Sequence, residues 1–395
     1  MLGEDKSGNH SPDLSSAATQ RELKIRHVQK LEYETVLVMQ GGGSLGAYEC
    51  GVYKALSRHG IEFDIVSGTS IGAVNAAIIA GSRTGSPERE LEDFWLEVAE
   101  TTTSSIIPDS IRAIASSYYG AMYGNSKVFA PFWMTPFQNR NFADYSGWWS
   151  PHLYDLGILK KTLERYVDFS KLNAGNLPRV ILTCTDIQNS EPVIFDSNTS
   201  DIDADHVIAC AGYPFYGISW TEKDGRFLWD GALLSNTPLR EVIDSSPKRD
   251  KRVYIVNLFP HVQEELPKNL VEVWHRARDI MHTDKTDNNV KMSKVLSRHL
   301  LLMREMHDII SNANLDEELH KRFMKIEHEY HKLADARGAI IDEITRIERS
   351  EDVPFLFEDA DFSLATIKKL IKQGEDDTHR ALAEKEKENQ IISKS

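Results

Sequence analysis

No apolar run in this 395-residue chain reaches the ~18 residues that a membrane-spanning helix needs, so any membrane contact is expected to be peripheral. Positive charge is also in short supply. Forty-six Lys and Arg face 60 Asp and Glu, and the resulting net charge of −14 excludes nucleic acid as the main partner, because phosphate backbones select basic faces. Nor would an anionic surface attract the molecule as a whole. The three cysteines, Cys50, Cys184 and Cys210, are too few and too widely spaced for a disulfide framework and read as reduced, buried residues. Residues 1 to 30 are polar throughout and lack an apolar core segment, so they read as a disordered lead without a secretory signal, and a cytoplasmic location is the expectation.

What the chain does have is 41% apolar residues, enough to bury a large core. "TVLVMQ" reads as a strand covered on both faces, followed by a helix from about Leu45 to Arg58 that Gly60 ends. "FDIVSGTS" and "IGAVNAAIIAG" repeat the strand and helix. Further strands are expected at 179 to 187, 191 to 197, 226 to 232 and 252 to 259. This order predicts an α/β fold with a mostly parallel central sheet flanked by helices.

Two regions break that rhythm. Residues 101 to 150 are aromatic and irregular, with Trp133, Trp148 and Trp149 among prolines and glycines; they read as a candidate lid or as a loop pinned to the core by its aromatics. From Leu266 to Ala336 the chain becomes helical and strongly charged, and a last short helix is expected between Ser363 as N-cap and Gly374 as stop. These observations divide the chain into a domain over 31 to 262 and a mainly helical C-terminal extension over 263 to 395.

"QGGGSLG" follows the first strand, and Gly41, Gly43 and Gly46 satisfy the Gly-x-Gly-x-x-Gly spacing of a dinucleotide site. The acidic residue that should end the second strand of such a site is missing. A Walker loop would need a lysine after its last glycine, and there is none. The second strand ends instead in "GTSIG", which is Gly-x-Ser-x-Gly between a strand and a helix, the setting of a nucleophile elbow. Gly68 and Gly72 are the small residues that let strand and helix approach, and Ser70 would stand at the strand's end facing a helix N-terminus that favours negative charge. Acyl transfer also needs amide donors for an oxyanion, which the exposed backbone of Gly41, Gly42 and Gly43 can supply. The best candidate base is Asp230 in "LWDGALLSNTP", a carboxylate ending an apolar strand with Gly231 and Ala232 turning the chain after it. Among the fourteen histidines, His206 and His261 are the least implausible alternatives.

The glycine segment "GGGSLG", the elbow "GTSIG" and the "DGA" box, in that order, resemble the patatin-like phospholipase family over roughly residues 33 to 260. The resemblance implies a Ser–Asp dyad of Ser70 and Asp230 without a catalytic histidine, an oxyanion hole at Gly41, Gly42, Gly43 and Gly46, and hydrolysis of glycerolipid acyl esters with neither metal nor other cofactor. "LSNTP" is also similar to the family, whereas Leu45 stands where many members carry Arg or Lys, which bears on substrate preference. The C-terminal extension is similar to one on a bacterial branch. The implied partner is a lipid or other acyl-ester substrate. Leu45, the aromatic segment and the helix after Ser70 are candidates to line its acyl channel, and the basic amphipathic stretch from Lys268 to Arg304 reads as a solvated helix or a contact for anionic lipid. Other classes consistent with the sequence are a carboxylesterase for soluble esters, a catalytically silent scaffold and a dinucleotide-binding protein.

Overall fold

Strand β1 (Glu34–Met39) forms the axis of the computed structural model, which describes residues 33–392 apart from 105, 135–151, 174, 176, 177, 246, 248, 314, 337, 338, 340 and 352–356. The lead at 1 to 30 and the tryptophans Trp148 and Trp149 lie outside the described residues. From Val36 to Met39 every side chain of β1 is buried, as an apolar strand between two layers of helix requires. It pairs in parallel with β2 (Ile65–Thr69) on one side and with β9 (Lys251–Asn257) on the other. Beyond β2 comes β5 (Arg179–Asp186), also parallel. Beyond β9 comes β10 (Ile341–Glu348), again parallel. The far side closes with antiparallel β6 (Glu191–Asp196), β7 (Thr221–Lys223) and β8 (Arg226–Asp230). The two-residue strands β3 (Ala130–Pro131) and β4 (Tyr154–Asp155) form a separate ladder. The architecture is thus an α/β fold around a mostly parallel sheet.

The helices in chain order are α1 (Gly46–Arg58), α2 (Ile71–Ala80), α3 (Pro87–Val98), α4 (Asp109–Tyr123), α5 (Gly157–Tyr166), α6 (Phe169–Asn173), α7 (Ala204–Ala209), α8 (Leu239–Asp244), α9 (Leu270–Ser311), α10 (Glu317–Ala336) and α11 (Leu364–Ile392). Among the described residues no helix is long and apolar enough to cross a membrane. α1 is buried from Gly46 to Leu56 because α11 covers the side that faces away from the sheet. The two helices cross backbone to backbone: a Cβ on Gly51 would strike the carbonyl of Ile371, and one on Gly374 would strike that of Tyr48.

Two expectations need correction. Gly374 does not stop the last helix, which runs on to Ile392, because the glycine is there for close packing against α1 rather than for a C-cap. The aromatic region is not irregular throughout, since it contains the four-turn helix α4. The C-terminal region is mainly helical, and it also supplies β10, which extends the main sheet and brings Ile341 into a core cluster with Val253 and Ile255.

Candidate active site

The elbow is built by backbone contact. Gly68 and Gly72 meet so closely that a Cβ on the first would overlap the carbonyl of the second, and one on Gly72 would lie 2.6 Å from the carbonyl oxygen of Met39. Between them Ser70 adopts φ 56° and ψ −125°, a conformation costly for any residue with a side chain. Its amide donates to the carbonyl of Cys210 at 3.1 Å and its carbonyl accepts from Ala73. The hydroxyl does not cap α2. It therefore stands at the N-terminus of a ten-residue helix with its hydrogen-bonding capacity unspent on the fold.

Asp230 arrives beside it through the register of β5. Residues 179 to 183 of that strand pair with β2, and the same edge then pairs with β8, so Thr69 lies opposite Thr183 and Asp230 opposite Cys184. The carboxyl group is wholly buried. Oδ1 accepts from the amide of Ala232 at 2.8 Å, and Gly231 makes the turn by accepting from Leu234 and Ser235. Oδ2 has no partner of ordinary hydrogen-bond geometry, and the nearby Ser70 hydroxyl is the donor that addresses the carboxylate. Burial pushes the Asp230 pKa up to about 7, against smaller downward pulls from Ser70 and the Ala232 amide. A carboxylate tuned in this way is a far better proton acceptor than an exposed one.

The three glycines differ in what they do. Gly41 is clamped by Asn236, whose Oδ1 accepts the glycine's amide at 3.1 Å and whose Nδ2 donates to its carbonyl at 3.2 Å. The amides of Gly42 and Gly43 have no acceptor among the described residues. Gly43 has φ 56°, and a Cβ there would collide with the carbonyl of Asp359. Gly46 is already inside α1, where a Cβ would press on Ile71 and Trp95; it spaces helices. Asn236 is part of a three-residue strap, in which the Ser235 carbonyl accepts from Thr69, Asn236 holds Gly41, and Thr237 accepts from Gln40. "LSNTP" was visible in the sequence, but its task of tying the elbow strand to the glycine loop was not.

Ser70, Asp230 and Gly41 to Gly43 share the wall of a cavity of about 490 Å3. Its other walls are mainly apolar: Ile71 and Val74 from α2, Val128 and Phe129, and Leu156 and Leu159 near α5. Leu45 is not among the lining residues; it is buried behind the glycine loop, so the expectation that it lines the channel is corrected. Glu100, Asp230 and Asp359 are the acidic residues of the described lining, which holds no Lys or Arg.

Sequence reasoning missed the contribution from beyond residue 257. Phe259, His282 of α9, and Phe357, Asp359 and Phe362 all line the cavity, and the His282 ring stacks on Phe259 at 4.9 Å. Asp359 is anchored by the Tyr216 hydroxyl and by Arg278 at 3.0 Å. Arg278 also reaches Glu358 at 3.1 Å, and Glu358 binds Arg349 at 2.8 Å. His275, Glu351 and Glu358 group their ligand atoms within 4.8 Å, as a metal site would. Two guanidinium groups already engage Glu358, however. His275 is itself held protonated up to about 9, because Glu351 and Glu358 outweigh the opposing effect of burial. This is a salt-bridged buckle that fastens the segment carrying Asp359 over Gly43. No signal in the sequence marks it, since its members are spread from 275 to 359.

The two histidines considered as alternative bases lie elsewhere. His206 closes a capping box with Asp203, approaches Asp224 at 3.3 Å and packs edge-on to Phe195. His261 is exposed on a loop, and neither residue lines the cavity. The three cysteines are buried and free, with Cys184 beneath Asp230 and its sulfur against that of Cys210.

A family model described as patatin-like phospholipase matches residues 37–243. Patatin-like phospholipase domain-containing protein 7 of Rattus norvegicus is 36% identical over 203 residues, which are 51% of this chain and 12% of that protein. A lysophospholipase, nte1 of Aspergillus terreus, is 54% identical over 44 residues, 11% of this chain and 3% of its own length. The chain therefore matches only a small part of these much longer relatives. Among solved structures, VipD from Legionella pneumophila overlays 89% of this chain and 67% of its own, at 13% identity and a TM-score of 0.35.

Proposed function

Because the chain belongs to the patatin-like phospholipase family, whose model spans residues 37–243, we propose that it is a serine hydrolase cleaving acyl esters of glycerolipids through a covalent acyl-enzyme. The observation that carries this reading is Ser70, strained at φ 56° with its hydroxyl addressed to the buried Asp230 rather than to a helix cap, in the wall of an apolar cavity.

The chemistry follows from that arrangement. Asp230 takes the Ser70 hydroxyl proton as the oxygen attacks the ester carbonyl carbon, and the N-terminus of α2 stabilises the developing negative charge. The tetrahedral oxyanion accepts from the amides of Gly42 and Gly43, each such donor contributing ~10²–10³ in rate. As the intermediate collapses, the carbon–oxygen bond to the alcohol breaks and Asp230 returns its proton to the leaving oxygen. Water then repeats the sequence on the acyl-enzyme, with Asp230 again as base, and releases the fatty acid. No step calls on a metal or cofactor.

The acyl chain occupies the apolar walls formed by Val74, Val128, Phe129 and Leu159. The described lining offers no Lys or Arg to pair with an anionic headgroup and carries Glu100, while Asp359 is already paired with Arg278, so neutral or zwitterionic esters are the preferred class. The test is labelling with an active-site fluorophosphonate, peptide mapping of the adduct, and a scan of ester chain length. An adduct on Ser70 and a rise in kcat/KM with acyl length support the reading. An adduct elsewhere, or none on folded protein, overturns it; a preference for short soluble esters would replace the lipid assignment with a general carboxylesterase.

A further inference from the structure

Helix α4 turns an apolar face to solvent. From Ala113 to Tyr123 it carries no charged residue, although 27% of the chain is charged. Arg112, Ala113 and Ser116 point inward and are buried. Ile111, Ile114, Tyr118 and Met122 follow one another at helical spacing and are 58%, 52%, 68% and 43% exposed. This is the reverse of a surface helix in a soluble domain, and a contiguous apolar patch of this kind marks a contact surface.

The patch continues into the catalytic cavity. Ile114 and Tyr118 are both exposed and part of the cavity lining, so one apolar surface runs from outside to Val74 and Leu159 within. Across the mouth, Phe357 and Tyr216 are likewise exposed and lining, and the Ser117 hydroxyl ties α4 to the carbonyl of Phe357 at 3.2 Å. At the other end of the helix the Met122 carbonyl accepts from the indole of the exposed Trp133. The rim is therefore apolar and aromatic, the composition that suits the boundary between headgroups and acyl chains.

We infer that the outer face of α4 docks this protein on a zwitterionic phospholipid bilayer with the cavity mouth applied to it, an inference that rests on the lipid-hydrolase reading. The attachment is apolar rather than electrostatic. The molecule's net charge is −14, α4 has no charged residue from Ala113 to Tyr123, and Arg276 and Arg278 of the basic helix α9 are spent on the carbonyls of Pro260 and His261 and on the buckle acids; the exposed Lys291, Lys294 and Arg298 of α9 are what anionic vesicles test. With α4 seated, an acyl chain passes from bilayer to cavity without meeting water, which removes the main cost of withdrawing it.

The experiment separates docking from turnover by using Ser70→Ala protein in flotation with phosphatidylcholine vesicles, with and without phosphatidylglycerol, at low and high salt. Expected is binding to pure phosphatidylcholine that salt does not reverse and that phosphatidylglycerol weakens. Adding Ile111→Asp and Met122→Asp, neither of which lines the cavity, should lower partitioning by on the order of tenfold or more. The same pair in the otherwise intact enzyme should leave hydrolysis of a monomeric short-chain ester within about threefold of the parent. Unchanged partitioning in the double variant, absence of binding by the parent, or binding only to anionic vesicles with release by salt would each overturn the inference, the last assigning contact to α9. Failure of the hydrolase reading looks different: no fluorophosphonate adduct and no soluble-ester hydrolysis, whatever the vesicles show.

Discussion

Thr69 and Asp230 hold consecutive places along one edge of β5, the first opposite Thr183 and the second opposite Cys184, although they are 161 positions apart in the chain. One strand thus carries both halves of the candidate dyad, the elbow strand arriving in parallel and the aspartate strand antiparallel. Any change that shifts β5 would move Ser70 and Asp230 together.

Ser70→Ala and Asp230→Asn should each lower turnover by about 10³-fold or more, and the double variant should lose little beyond either single one, because in the proposed dyad the two groups act as one unit. His206→Gln should stay within about tenfold in kcat/KM. Its loss appears in melting temperature, since the ring caps α7 and faces Asp203 and Asp224. A His206 variant as inactive as Ser70→Ala while still folded would replace the dyad with a triad.

Asp230 also predicts two opposed pH effects. With its pKa near 7 in the folded protein, kcat/KM should rise through about pH 7 as the base form appears. Stability should run the other way. Between about pH 4 and 7 the folded state binds a proton that the unfolded state has released, so this group makes the protein less stable as pH rises through that window. Asp230→Asn, which cannot ionise, should therefore be inactive yet more stable than the parent above about pH 7, with the gain fading below about pH 4. Denaturant midpoints across that range check the sign.

Asn236→Ala removes both hydrogen bonds that hold Gly41 and leaves a buried amide and carbonyl unpaired. A stability loss of about 1–3 kcal/mol is expected, together with a fall in kcat larger than any change in KM. Asn236→Asp keeps an acceptor for the Gly41 amide but turns a carboxylate on its carbonyl, so it should not rescue. Full activity in either variant would detach the glycine loop from the proposed oxyanion site.

Gly43→Ala should cost more stability than Gly42→Ala. The first forces a side chain into φ 56° and against the Asp359 carbonyl, whereas the second has its short contact, 2.7 Å, with the Leu258 side chain, which can rotate away, and meets Leu45 and Phe259 at an ordinary 3.5 Å. Arg278→Met tests the buckle from its other end. It takes the guanidinium from the buried Asp359 and one of the two from Glu358, which keeps Arg349, at a cost on the order of 3–5 kcal/mol, and should loosen the segment above Gly43. Hydrogen exchange of residues 357–362 checks this directly, and protection equal to the parent's would show the buckle to be dispensable.

The boxes around Ser70 and Asp230 were legible because their logic is short-range. A glycine on either side of a serine at a strand end, or an aspartate followed by Gly-Ala, specifies a local backbone that neighbours in sequence enforce. The same holds for β1, β2, α1 and α2, whose apolar runs and glycine stops came within a few residues of the observed bounds. Tertiary structure alone decided the rest. Gly374 reads as a stop until α1 lies across it; α4 reads as part of an irregular aromatic stretch until its burial on one side leaves Ile111 and Tyr118 outside. The pKa of Asp230 near 7, the clasp of Asn236 on Gly41 and the seating of Asp359 over Gly43 each depend on groups brought together from distant parts of the chain. Desolvation and close packing are properties of the space around a residue, and no window of sequence contains that space.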